Sequence, residues 1–143
     1  MIVLDASVVV PALVDQAGSG ALAREVLTAD SDLHAPHLLD VEVASVLRRH
    51  ARCGLLAPAR AAAALTDLDD LALTRYPHVG LLPRIWQLRE NLSAYDATYA
   101  ALAEYAVGNP AHRRSRSGAC AGPALPGSTA ELTCVRSLGV SGR

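Results

Sequence analysis

Ile2-Val3-Leu4-Asp5-Ala6-Ser7-Val8-Val9-Val10 is the stretch on which the reading of this chain turns. Ile2 to Leu4 make a short, continuous apolar run, as in a strand buried on both faces of a parallel sheet. Asp5 ends that run. Ala6-Ser7 then leads into Val8-Val9-Val10 and on to Ala12-Leu13-Val14, which continue with helical spacing. A ligand site in a parallel α/β sheet lies beyond the carboxyl ends of the strands, and Asp5 stands at such an end.

Outward from this opening, short strands alternate with helices. Gly18-Ser19-Gly20 breaks the chain, and Ala21 to Ala29 reads as a helix with Leu22, Val26 and Ala29 facing inward. Leu33-His34-Ala35-Pro36 is a second short strand closed by proline. Leu38 to Cys53 predicts a long helix stopped by Gly54 as a C-cap. Pro58 suits the first turn of another helix, which runs to about Leu71. Leu73 to Val79 is extended and interrupted by Pro77, and Leu81 to Leu92 is helical. Ser93-Ala94-Tyr95-Asp96 reads as a capping box opening a helix through about Ala106, with Asp in place of the usual Glu or Gln. The alternation predicts an α/β domain built on a short parallel sheet.

Composition narrows the function. Hydrophobic residues at 51% and charged residues at 19% are those of a soluble globular protein, and 143 residues suffice for one core. No apolar run approaches the roughly 20 residues of a bilayer span. The start lacks a positive n-region and a cleavage site, so no secretory signal and a cytoplasmic location are expected. Cys53, Cys120 and Cys134 are too far apart for a metal pair or a disulfide framework, and the five histidines follow no zinc spacing. A bound metal would therefore need oxygen ligands. Residues 1–106 carry 8 Arg against 13 Asp plus Glu, a net −5; residues 107–143 carry 5 Arg against one Glu, a net +4. The acidic body argues against nucleic-acid binding by bulk charge and leaves any such chemistry to a local site.

Three carboxylates stand out by context. Asp5 follows a buried strand, Glu42 borders the apolar stripe of its helix near Val46, and Asp96 lies one turn before Ala100 and Ala103. Crowded carboxylates cost several kcal/mol (about 3–5 when one is left buried without a partner) unless something positive neutralises them. A divalent cation with oxygen ligands does so, and it can activate water against a phosphodiester. Each acid also has a plainer reading: Asp5 as a strand end and helix cap, Glu42 as a solvated edge residue, and Asp96 as a partner of the helix dipole. Arg48, Arg49 and Arg52 read as the polar face of the Glu42 helix.

The order of three segments adds a resemblance. Ile2-Val3-Leu4-Asp5-Ala6-Ser7, Ala35-Pro36-His37-Leu38-Leu39-Asp40-Val41-Glu42-Val43-Ala44, and Leu92-Ser93-Ala94-Tyr95-Asp96-Ala97 with Tyr99-Ala100-Ala101-Leu102-Ala103 resemble successive segments of PIN-domain ribonucleases of the VapC toxin type. The resemblance covers about residues 1–106. It implies a Rossmann-like three-layer fold in which Asp5, Glu42 and Asp96 bind Mg²⁺ or Mn²⁺ and Ser7 supports the site. It further implies a toxin endoribonuclease of a toxin–antitoxin system, acting on tRNA or ribosomal RNA and silenced by a VapB-like antitoxin. A homodimer and no membrane partner are also implied. Two other readings remain: an inactive PIN remnant that binds only antitoxin, and an unrelated acidic α/β regulator.

Residues 107–143 depart from the pattern. PIN toxins place a further strand and a fourth acid there, typically in an apolar stretch ending Thr-x-Asp. This chain has His112-Arg113-Arg114-Ser115-Arg116, and no acid between Glu104 and Glu131. Apart from an extended-looking patch near Leu132 to Val135, the segment shows no period, which predicts disorder and a sheet lacking a regular C-terminal strand. Shifted by one nucleotide, the codons of His112 to Ser115 can encode Thr-x-Asp. A frameshift between about Glu104 and His112 is the expectation that follows.

Overall fold

A computed structural model describes residues 1–108 and the backbone of residues 133–135. Its elements are β1 (Ile2–Leu4), α1 (Ala6–Val14), α2 (Gly18–Ala29), β2 (Leu33–Pro36), α3 (Leu38–Arg52), α4 (Pro58–Asp69), β3 (Thr74–Tyr76), a 3-10 turn (His78–Leu81), α5 (Leu82–Gln87), α6 (Ala94–Gly108) and β4 (Thr133–Val135). The strands form one parallel sheet in the order β3-β2-β1-β4. The predicted α/β class holds.

Strand alternation distributes the core. Successive residues of a strand point to opposite faces. Leu4 enters a cluster with Val9, Leu39, Val43 and Leu47, while its neighbour Val3 enters another with Ile85, Ala97, Tyr99 and Leu102. Helices α1 to α4 thus cover one face, and α5 and α6 the other. The chain progresses outward from β1 through β2 to β3, then crosses to β4 on the far side of β1. That reversal makes β1 the topological switch point, the place where open parallel sheets commonly bind their ligands. Asp5 follows β1 at that point.

Local signals explain most boundaries. Gly54 has φ 71°, the left-handed conformation expected after α3. Pro58 begins α4, and the Ser93 hydroxyl accepts the Asp96 backbone N–H at 3.1 Å to cap α6. The boundary expected near Ala106 falls in the last turn of α6.

Several details differ from the sequence reading; α5, expected over Leu81 to Leu92, ends at Gln87. Gly18-Ser19-Gly20 is the first turn of α2 instead of a break. A Cβ on Gly20 would lie 1.8 Å from the Asp15 carbonyl oxygen, so glycine lets α2 close against the end of α1. Accordingly Ala23 is buried while Leu22 and Ala29 are exposed, and only Val26 packs inward as expected. Finally, a strand does follow α6. Thr133–Val135 pairs in parallel with β1, Ile2 opposite Thr133 and Leu4 opposite Val135. Three residues are too short to show a period of their own, and β1 supplies the ladder that orders them. The disorder expected for the rest of residues 107–143 lies outside the described residues.

No single helix among the described residues is long and apolar enough to cross a membrane. The α1–α2 pair passes by length and composition together, but it bends by 113° and α1 buries Val8, Val9 and Val10 in the core.

Candidate active site

Asp5 is both strand end and helix cap. Its Oδ1 accepts the Ser7 backbone N–H at 2.7 Å and the Ser7 hydroxyl at 2.5 Å, while its backbone carbonyl accepts the N–H groups of Val8 and Val9. This capping fixes the carboxylate at the mouth of the switch point. The plainer reading of Asp5 as a cap is therefore correct without excluding a second role. The Ser7 hydroxyl and backbone N–H both hold Asp5 Oδ1.

Glu42 lies in the second turn of α3, half-buried beside the stripe of Leu39, Val43 and Leu47. It is not simply solvated: its Oε2 accepts the Tyr99 hydroxyl of α6 at 2.5 Å. Tyr99 is buried, and its phenol is pushed well above the usual tyrosine range. Burial contributes most, followed by the bond to Glu42 and then by the negative charges of Glu42, Asp5 and Asp40. The phenol therefore stays protonated and donates throughout the neutral range. Asp96 sits one turn before Tyr99 on α6, half-buried. Tyr99 thus links α6 to the second turn of α3, and its ring packs in one cluster with Val3 of β1.

Asp40, one residue pair before Glu42, turns away to Arg75 of β3, whose Nε lies 3.1 Å from both of its oxygens. Arg75 also donates to the Leu68 carbonyl at 2.7 Å and so ties β3 to α3 and α4. Arg48, Arg49 and Arg52 are exposed on α3, as read from the sequence.

All three candidate ligands are hard oxygen donors, so their chemistry suits Mg²⁺ or Mn²⁺. Their arrangement is looser than a coordination sphere. Among the described residues no group of three or more His, Cys, Asp or Glu is gathered to hold an ion. Asp5 is satisfied by Ser7 and Glu42 by Tyr99 instead.

Residues 2–108 match the PIN domain. The chain belongs to the PIN-domain family. Within it, the similarity runs to VapC proteins. The chain is 51% identical over 104 residues to the VapC ribonuclease Mb0985 of Mycobacterium bovis and to ribonuclease VapC9 of Mycobacterium tuberculosis, spanning 73% of this chain and 78% of each relative. Ribonuclease VapC1 of Mycobacterium tuberculosis is 44% identical over 102 residues, 71% of this chain and 76% of that one. The crystal structure of Mycobacterium tuberculosis VapC20, described as a sarcin-ricin loop cleaving toxin, superposes with a TM-score of 0.58 at 19% identity. It covers 73% of this chain and 82% of VapC20, and at that identity it shows a shared fold alone. Membership in this family replaces the reading of an unrelated acidic regulator.

The sequence reading placed Asp5, Ser7, Glu42 and Asp96 in this PIN domain but gave Tyr99 no role of its own. The available signal was spacing. Tyr99 follows Asp96 by three residues, so the two share a helix face. His34 of β2 was also passed over. It is buried, with Nε2 3.0 Å from Asp32 and Nδ1 3.0 Å from the Tyr76 hydroxyl.

Proposed function

We propose that this PIN domain is a toxin endoribonuclease that hydrolyses RNA with metal-activated water and is silenced by a cognate antitoxin. The observation that carries the reading is the 51% identity to VapC ribonucleases over the segment that contains Asp5, Glu42 and Asp96. Those three residues would hold Mg²⁺ or Mn²⁺. When bound, the ion would lower the pKa of a water and offset the charge that develops on the phosphate. The chain's own residues supply orientation: Ser7 holds Asp5, Tyr99 holds Glu42, and the Ser93 cap sets the turn bearing Asp96. The similarity to VapC proteins supports a VapB-like antitoxin as partner, structured RNA of the tRNA or ribosomal class as substrate, and a homodimer as the working form.

Cleavage of total RNA with Mg²⁺ or Mn²⁺, against EDTA and Asp5→Asn, tests the reading. Loss of more than about 100-fold in Asp5→Asn is expected, beyond the 10–100-fold typical of a group that only supports a metal ligand. Metal-independent cleavage, or full activity in the mutant, would sink it.

Two observations favour a second reading, an inactive remnant that still binds antitoxin. No acid occurs between Glu104 and Glu131, and no cluster of ligands is gathered among the described residues. Under that reading neither ion supports cleavage, antitoxin still binds, and restoring the shifted frame after Glu104 recovers activity.

A further inference from the structure

The arginines of residues 1–106 divide into two groups. Arg24, Arg60, Arg75, Arg84 and Arg89 each donate to a carboxylate or a carbonyl within the fold. Arg48, Arg49 and Arg52 are exposed on α3, and among the described residues none of them has a hydrogen-bond or ion-pair partner. The same residues 1–106 carry 13 Asp plus Glu and a net −5, so three cations stand unpaired on an acidic body.

The helix gathers them. Glu42, Ser45, Arg49 and Arg52 recur at helical intervals along one side of α3, with Arg48 beside them. At about 1.5 Å per residue, Arg49 lies roughly 10 Å along the axis from Glu42. The helix end accounts for part of this charge, because Arg49, His50 and Arg52 lie in its last turn. A helix C-terminus carries only about half a negative charge, so three arginines leave a surplus of roughly two. Arg48 and Arg49 also repel Arg52 at spacings of four and three residues, a repulsion that a bound anion would remove. No large apolar side chain is exposed between Ser45 and Arg52, whereas a protein interface buries such groups at its centre. A polyanionic backbone suits this face better than an acidic protein segment does.

We propose that Arg48, Arg49 and Arg52 form an RNA-backbone contact, holding phosphates along α3 on the side that carries Glu42. Guanidinium groups match phosphate geometry and supply locally the attraction that the acidic body lacks. This inference rests on the ribonuclease reading above, and it needs no bound ion.

Fluorescence anisotropy of a labelled RNA hairpin, in EDTA so that metal-dependent cleavage is silent, measures binding between about 50 and 200 mM salt. The variants are Arg48→Gln, Arg49→Gln and Arg52→Gln, singly and together, with Arg89→Gln as a charge control. Each single change on α3 should lower the slope of log affinity against log salt by about 1. The triple Gln variant should bind more than about 10-fold more weakly. Arg89→Gln should change the slope far less. The triple Lys variant, which keeps charge and helix, should retain the wild-type slope, and thermal unfolding should stay close to wild type throughout. RNA binding by the wild type that the triple Gln variant matches in affinity and slope would overturn the proposal and leave the ribonuclease reading standing. Weakened binding of polyglutamate in that variant would then assign the face to an acidic protein segment. An equal change of slope in Arg89→Gln would also overturn it, in favour of net charge alone. A wild-type protein that binds no RNA, in EDTA or in Mg²⁺, would instead fail the ribonuclease reading itself, and the proposal with it.

Discussion

On one face of the sheet α3 turns Leu39, Val43 and Leu47 toward Val8, Val9 and Leu4; on the other α6 turns Ala97, Ala101 and Ala103 toward Val3 and Ile85. α3 meets the first face with branched side chains whose bulk fills the space between helix and strand. α6 itself meets the second face largely through alanine, with Leu102 and Tyr99 as its larger buried members, while Val3, Leu81 and Ile85 supply bulk from the other elements. A side chain as short as alanine lets backbones approach closely, so α6 is held near the sheet by proximity more than by interdigitation. That closeness allows Tyr99 to reach across to Glu42. We expect the large side chains of α3 to weigh most on stability and the packing of α6 to weigh on the alignment of Tyr99 with Glu42.

If so, the two faces should fail in opposite ways. Leu47→Ala, at a side chain 1% exposed, removes bulk from the first face and should cost about 2–5 kcal/mol, among the larger losses of any single truncation here. Urea unfolding at neutral pH measures it. A loss below about 1 kcal/mol would mean that the cluster can collapse around the cavity and that the first face is less rigid than its packing suggests.

Where α6 packs through alanine, enlargement is the disruptive change. Ala97→Val places two extra methyl groups at a fully buried position one residue after Asp96. The expected cost is about 1–3 kcal/mol from overpacking. RNA cleavage should fall by more than that loss of folded protein accounts for, because α6 would be pushed from the sheet and the Tyr99–Glu42 bond stretched. Equal activity per folded molecule would separate the alanine face from the site.

The two faces were also unequally legible. The first could be read from the sequence because α3 repeats its apolar residues at helical intervals and β1 is a continuous apolar run, signals contained in short windows. Gly54 and Pro58 marked boundaries for reasons local to the backbone. Alanine-rich α6 carries little amphipathic contrast, so its start was marked by Ser93 and Asp96 while its buried face was not. Asp5, Glu42 and Asp96 were singled out by context and by resemblance. What each carboxylate touches was not, except for Ser7 beside Asp5. Tyr99 meets Glu42, and Tyr76 meets His34, only through long-range packing, across 57 and 42 residues respectively. Leu22 misled because hydrophobicity is a poor guide where Gly20 sets how closely two helices pack. β4 needed β1 as its template.

The smallest expected effect lies on the outer surface of the alanine face, where Arg84 of α5 grips Glu104 of α6. Arg84 Nε and a terminal nitrogen donate to the two carboxylate oxygens at 2.6 and 2.8 Å. That bond holds the Glu104 carboxyl below its ordinary value of 4.5. Because the folded-state pKa is depressed, the stabilisation is fully present above about pH 4.5 and is lost as pH falls through the lower, folded value. Both partners are exposed, so solvent screens the pair and the gain is small. Arg84→Ala should therefore be slightly less stable than wild type near neutral pH, and the two unfolding curves should converge on acidification. Added salt should narrow the neutral gap as well. A gap that persists at low pH and high salt would assign the loss to the aliphatic stem of Arg84 packing between α5 and α6, which would make packing, not charge, the second contact holding α6 in place.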